Sequence, residues 1–342
     1  MGRVAVSVGR QPCRRGLPGR LVPLILAVLI GAAPAWSALP QATMLWVAVS
    51  GSQSIAWITK EAGYFGRNGV DINLQFISGS PTAAAALESG HVNFVQMAGP
   101  AVVTADAAGG HLVMVMGFVN QPVFVLMVTP DIQTPEQLKG KTIAVVKVGS
   151  SDDFMLREAL SHWGLKPGTD VQVTGVGSIA AQIAALDKRV IQGLVVDPPN
   201  DVLASRAGAH VLARIADLGI SYQAAGLATT REYIQTHPDV VEKVVRAMSE
   251  GVHRFKTDRV YSEEIMAKYL KNSDPVVVDA AYNAYAGIIP RVPAPTRAGM
   301  QEILKQMGSD KPLKQALDVG SMIDTSFVER LQARGFFQQL YK

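Results

Sequence analysis

Few side chains in this 342-residue chain have the spacing that covalent or metal chemistry needs. Its single cysteine is Cys13, so a disulfide within the chain and a multi-thiolate metal site are excluded. The six histidines (His91, His111, His162, His210, His237, His253) never fall at metal-ligand spacing. No H-E-x-x-H, G-x-S-x-G or Walker A sequence occurs, and Gly175-x-Gly177 lacks the third glycine of a dinucleotide loop. No cofactor, metal or catalytic residue is therefore expected. What remains is a set of six small polar loops, each between an apolar run and a helical pattern. They are Ser50–Ser54, Ser78–Thr82, Met97–Pro100, Lys147–Ser151, Gly175–Ser178 and Asp197–Asn200. The first N–H groups of a helix have no intrahelical acceptor, so such loops bind carboxylate or sulfonate oxygens without a charged side chain. A serine or aspartate at one helix start usually serves only that helix; six on facing layers point to a shared cleft.

The charges in these loops limit the solute. Lys147 is their one basic residue, against Asp152, Asp153 and Asp197, and Arg157 lies a turn further on. No arginine fork is available for a polyanion. A monoanionic, zwitterionic or neutral organic molecule is expected. Asp197 is placed either to receive an amine or ring N–H or to cap the following helix.

The loops are positioned by a recurring strand-loop-helix unit. In the first section the strands are Trp46–Val49, Ile72–Ile77 and Val92–Gln96, with helices ending near Gly63, Gly90 and Gly109. In the second they are Thr142–Val146, Val171–Thr174 and Gln192–Val196, opened by a capping box at Thr134-Pro135-Glu136-Gln137. Alternation of this kind predicts parallel sheets with right-handed crossovers. The stretch from His111 to Pro130 has no charge, but Asn120-Gln121-Pro122 interrupts it, so two buried strands are expected there and not a membrane span. After a strand-like run at Tyr222–Thr230 only helical patterns remain, and Val240, Val241, Val244, Val245 and Met248 form one apolar face. Helices of this kind need a sheet to bury against. The predicted organisation is therefore lobe one from 40–128 plus 223–342, lobe two from 129–222, and hinges at Phe124–Thr129 and Tyr222–Thr229.

Aliphatic and aromatic residues make up 48% of the chain and charged residues 18%, which excludes a disordered chain. The net charge of +4 misleads, because Arg3, Arg10, Arg14, Arg15 and Arg20 all precede residue 35, where no acid occurs. Without them 27 basic groups face 28 acidic ones, and no nucleic-acid-binding surface is indicated. Those arginines, the apolar segment Leu21–Ala33 and the small residues around Ala33-Pro34-Ala35 read as a secretory signal over 1–35. A periplasmic location follows.

Glu61-Ala62-Gly63-Tyr64-Phe65-Gly66-Arg67-Asn68-Gly69-Val70 resembles the helix and turn of substrate-binding proteins of the nitrate/sulfonate/taurine and NMT1/THI5-like class of ABC importers. Ala86–Phe94 is similar to a second segment of that family, with Asn93 where Asp is usual. Leu138–Val145, Gly149-Ser150-Ser151 and Trp163-Gly164-Leu165 match the opening of its second lobe. Ala185-Leu186-Asp187 with Val195-Val196-Asp197-Pro198 resembles its closing element, although Asp187-Lys188-Arg189 replaces a common glycine. The resemblance implies a type II periplasmic-binding fold, two α/β lobes joined by two hinge strands with the C-terminal helical tail packed on lobe one. It also implies a monomer that hands a small-molecule ligand to an ABC permease in the inner membrane. Carried over by position, its ligand contacts fall on Ser52, Gln53, Ser80, Thr82, Gly99, Ser150, Ser151 and Asp197. Trp57 is placed either to stack on a ring or to sit in the core. Dehydratases and pyrimidine synthases share the fold, so an enzyme is one alternative; a ligand-presenting partner of a sensor kinase is another. Lack of a cysteine-rich segment argues against the pyrimidine synthase.

Overall fold

The computed structural model describes residues 39–310 and 317–342, together with Gly2; the export signal read over 1–35 lies outside the described residues. Ten strands occur in chain order: β1 (Gln41–Trp46), β2 (Asp71–Phe76), β3 (Phe94–Met97), β4 (Leu112–Val119), β5 (Val125–Val128), β6 (Thr142–Val145), β7 (Gln172–Gly175), β8 (Gly193–Val196), β9 (His210–Arg214) and β10 (Ala225–Thr230). They build two five-stranded sheets, ordered β2-β1-β3-β10-β4 and β7-β6-β8-β5-β9. Strands β3, β4, β5 and β8 are buried along their whole length, which fits sequences that are continuous apolar runs apart from Gln96 in β3.

The sheets are mixed, not purely parallel. β1 pairs parallel with β2 and β3, and β6 parallel with β7 and β8. The strands by which the chain enters each sheet, β5 and β10, run antiparallel to both neighbours. A strand arriving from the other lobe has no helical crossover behind it, so nothing forces a parallel direction. The position of the first crossing also differs from the sequence reading. Val125–Val128 pairs with β8 and β9, so it belongs to the second sheet and the chain crosses between Val119 and Val125, not near 129. The return crossing lies between Leu218 and Ala225.

The C-terminal helices pack on the first sheet's layer. Helix Pro238–Thr257 buries Val240, Val241, Val244, Val245 and Met248, each contributing about 1.5–3 kcal/mol. It lies against helix Ser54–Glu61, and Gly251 makes the approach possible, since a Cβ there would collide with the Thr59 hydroxyl. Further along, Asp324 N–H donates to Met114 O at 3.0 Å, tying the tail to β4. No helix among the described residues is long and apolar enough to cross a membrane.

Candidate functional site

A cavity of about 540 Å³ opens between the two sheets, walled by the loops after β1, β2, β6, β7 and β8 and by the chain crossings at Val123, Phe124 and Ala224. Of the residues expected to contact a ligand, Ser52, Gln53, Ser80, Ser150, Ser151 and Asp197 line it. Trp57, Thr82 and Gly99 do not. Trp57 is fully buried, stacked on Tyr269 with ring centroids 5.1 Å apart and an interplanar angle of 9°, and edge-on to Trp46. It is a core residue. Thr82 Oγ1 accepts from Lys147 Nζ at 2.6 Å, joining the two lobes beside the cavity. Gly99 is covered by the tail: its N–H donates to Gln223 O at 3.0 Å, and a Cβ would come within 2.7 Å of Ile303 Cδ1.

Ser50 and Asn200 also line the cavity, and Tyr285 bonds to the same carboxyl group as they do. Ser50, at the end of the β1 loop, donates its hydroxyl to Asp197 Oδ2 from the opposite lobe. Tyr285, from helix Pro275–Ala286, donates to the same oxygen at 3.0 Å. Asn200 Nδ2 reaches Asp197 Oδ1 at 3.4 Å. Burial pushes the Asp197 carboxyl above the ordinary carboxylate range, and these three donors oppose the shift. Burial also raises the Tyr285 hydroxyl, and the neighbouring Asp197 charge adds to it. Gly51 lets the tyrosine in, because a Cβ at Gly51 would lie 2.5 Å from Tyr285 Cε2. Gly51 N–H to Pro198 O at 3.3 Å and the Arg206–Asp274 ion pair at 2.6 Å add further contacts across the same junction.

The helix starts are less free than the sequence implies. In the Gly-Ser loop, Asp152 accepts from Val146 N–H and from the Ser150 hydroxyl. Asp153 accepts from Gly149 N–H at 2.8 Å and from Arg157 Nε at 2.9 Å. Two N–H groups and one hydroxyl of this loop thus go to carboxylates of the helix they precede. Burial raises Asp152 to about 6, against the lowering by Ser150 and Val146. Ser178 Oγ accepts from Ala181 N–H at 3.3 Å, and Ser50 Oγ from Ser52 N–H at 3.2 Å. Apolar groups, among them Val49, Phe76, Phe124, Ile179, Ile183 and Leu203, form the rest of the wall. The arrangement can enclose an organic molecule on apolar walls and fix its polar end by hydrogen bonds. Among the described residues no group of three or more His, Cys, Asp or Glu is arranged to hold a metal ion.

No curated protein sequence matches the chain. Among solved structures, a protein from Bordetella bronchiseptica RB50 superposes with a TM-score of 0.76 at 18% identity, covering 86% of this chain and 97% of that one. The alkanesulfonate-binding protein SsuA from Xanthomonas axonopodis pv. citri, bound to MOPS, gives 0.72 at 20% identity, covering 83% of this chain and 98% of that one. The periplasmic nitrate-binding protein NrtA from Synechocystis PCC 6803 gives 0.71 at 12% identity, with coverages of 89% and 91%. Identities this low speak for the fold, a bilobed type II periplasmic-binding architecture. The family profile described as NMT1/THI5 like matches residues 54–258, more than half of the sequence, and the chain belongs to that family.

Proposed function

We propose that the chain is an extracytoplasmic solute-binding protein that captures a small organic molecule between its lobes and delivers it to an ABC importer of the sulfonate/nitrate/taurine type. The observation that carries this reading is the cavity of about 540 Å³ walled from both sheets, with Ser50 and Tyr285 meeting Asp197 beside it. A volume of that size lies within the range of small-molecule sites. The lobes turn about the crossings at 120–124 and 219–224, with 40–119, 225–310 and 317–342 on one side and 125–218 on the other. Contacts to both lobes favour the closed arrangement, which the inner-membrane permease reads. Ser52, Gln53, Ser80, Ser150, Ser151 and Asp197 contact the solute in this reading. The protein acts as a monomer in the periplasm after removal of its leader.

A thermal-shift screen tests the proposal, using a panel of amines, alcohols, carboxylates, sulfonates and pyrimidines. A ligand at a hundred times its Kd stabilises by about 2.7 kcal/mol, a clear rise in Tm. A panel in which no member raises the Tm, with turnover of any member detected instead, would remove the transport reading.

A further inference from the structure

The cavity wall contains two carboxyl groups, Asp152 and Asp197, and no lysine, arginine or histidine. The basic groups nearest in sequence do not line it: Lys147, at its edge, donates to Thr82 Oγ1 at 2.6 Å, and Arg157 donates to Asp153. Asp152 is buried and its carboxylate meets only neutral donors, Val146 N–H and the Ser150 hydroxyl. An anionic head beside it would lie next to a like charge with no basic side chain of the wall between them. The other carboxyl, Asp197, already receives Ser50, Tyr285 and Asn200. An independent feature marks the space as a ligand site. Ser80 is only 5% exposed and lines the cavity, yet its hydroxyl makes no hydrogen bond to any described residue.

We propose that this cavity selects a compact, mainly apolar molecule whose head is a hydrogen-bond donor, an amine or ring N–H, neutral or singly cationic, and that it rejects sulfonates and nitrate. The N–H of the head is received by the Asp152 carboxylate, whose oxygens each keep a lone pair beyond the bonds they already accept. Ser80 supplies a second polar contact from the first lobe. Phe76, Phe124, Ile179, Ile183 and Leu203 enclose the apolar body. The selection follows from wall charge: family membership sets the bilobed frame, while the absence of a basic side chain in the wall sets the sign of the solute. The inference rests on the solute-binding reading and refines it.

Matched probes separate the two. Benzylamine, benzyl alcohol and phenylmethanesulfonate share one skeleton, and hexylamine, hexanol and hexanesulfonate share another. Calorimetric titration of the protein is expected to rank amine above alcohol above sulfonate in both sets, with at least about tenfold between the ends. Sulfonates binding as tightly as the amines would overturn the inference while leaving solute binding intact. Failure of all six to bind counts against the inference as well. Asp152→Asn is expected to reduce the amine's advantage over the alcohol by about tenfold, and an unchanged advantage would refute the assigned role. Because Asp152 also holds its own loop, a second variant leaves it alone. Ile179→Lys adds a cation to the wall and is expected to raise sulfonate affinity about tenfold; no rise would mean that wall charge does not govern selection.

Discussion

Asp197 gathers two of the polar contacts between the lobes on one carboxyl group. Its Oδ2 accepts from Ser50, which is 147 positions away in the chain, and from Tyr285, which is 88 positions away. Removing one donor leaves a buried acceptor undersatisfied, which costs more than the bond's net worth. Tyr285→Phe keeps the ring that packs against Gly51 and deletes only the hydroxyl. The expected loss is about 1–3 kcal/mol in urea unfolding, because the acceptor is a carboxylate. A variant as stable as the wild type would mean that Ser50 and Asn200 alone satisfy Asp197. That Asp197 lines the cavity was legible from sequence, because the resemblance places a contact there and the residue ends an apolar strand at a proline-rich turn. Tyr285 was not, since nothing local distinguishes it from the other tyrosines of the tail.

At the scale of elements, each helix must end where the next strand can begin, and Asp106 controls one such junction. It sits in the last turn of helix Gly99–Ala107 and accepts from Leu112 N–H at 2.9 Å, at the start of β4. Burial raises its carboxyl from 3.8 to about 6. The folded state therefore binds the proton more tightly than the unfolded chain. That contribution is fully present below 3.8 and is lost as pH rises through about 6. Asp152, raised to a similar value, acts in the same direction. These two groups therefore lower stability between about pH 4 and 6, and Asp106→Asn, which keeps an acceptor for Leu112, should remove its own part of that slope. Urea midpoints across this window check it; an unchanged slope would mean that Asp106 does not titrate there. The elements themselves were readable because short apolar runs, turn residues and period-3.6 apolar faces are local. Strand Thr142–Val145 lies within a residue of the expected bounds. At Thr134 the expected capping box forms, with Gln137 Oε1 accepting from Thr134 N–H at 3.2 Å, although it opens only a short 3₁₀ turn.

At the scale of the whole molecule, the two crossings are held to each other and to the tail by Gln223. This fully buried side chain donates through Nε2 to Asn120 Oδ1 at 2.9 Å and Ala225 O at 3.0 Å, and its Oε1 accepts from Thr296 N–H at 2.7 Å. One amide therefore links the outgoing crossing, the returning crossing and the start of helix Arg297–Asp310. Gln223→Leu fills the same volume and strands those partners, at a cost of about 1–3 kcal/mol for each group left unsatisfied. It should also widen the range of lobe orientations, read as a larger radius of gyration by small-angle scattering without ligand. A destabilised variant with an unchanged radius would separate stability from hinge restraint and assign Gln223 to stability alone.

The residues alone determined the strand-loop-helix order, the small polar loops at the ends of β1, β2, β6 and β8, and the near absence of basic groups beside them. These are properties of neighbours in sequence, where periodicity and turn chemistry act within a few residues. Only the tertiary structure decided which loops face open space. The tail covers Gly99, the core takes Trp57 against Tyr269, and the acids at the start of helix Ser151–His162 take the N–H groups of Val146 and Gly149 in the loop before it. It also decided that β5 joins the second sheet. Each of these outcomes is a competition between chain segments for the same surface or the same donor, and partners that are tens to hundreds of positions apart leave no periodic trace.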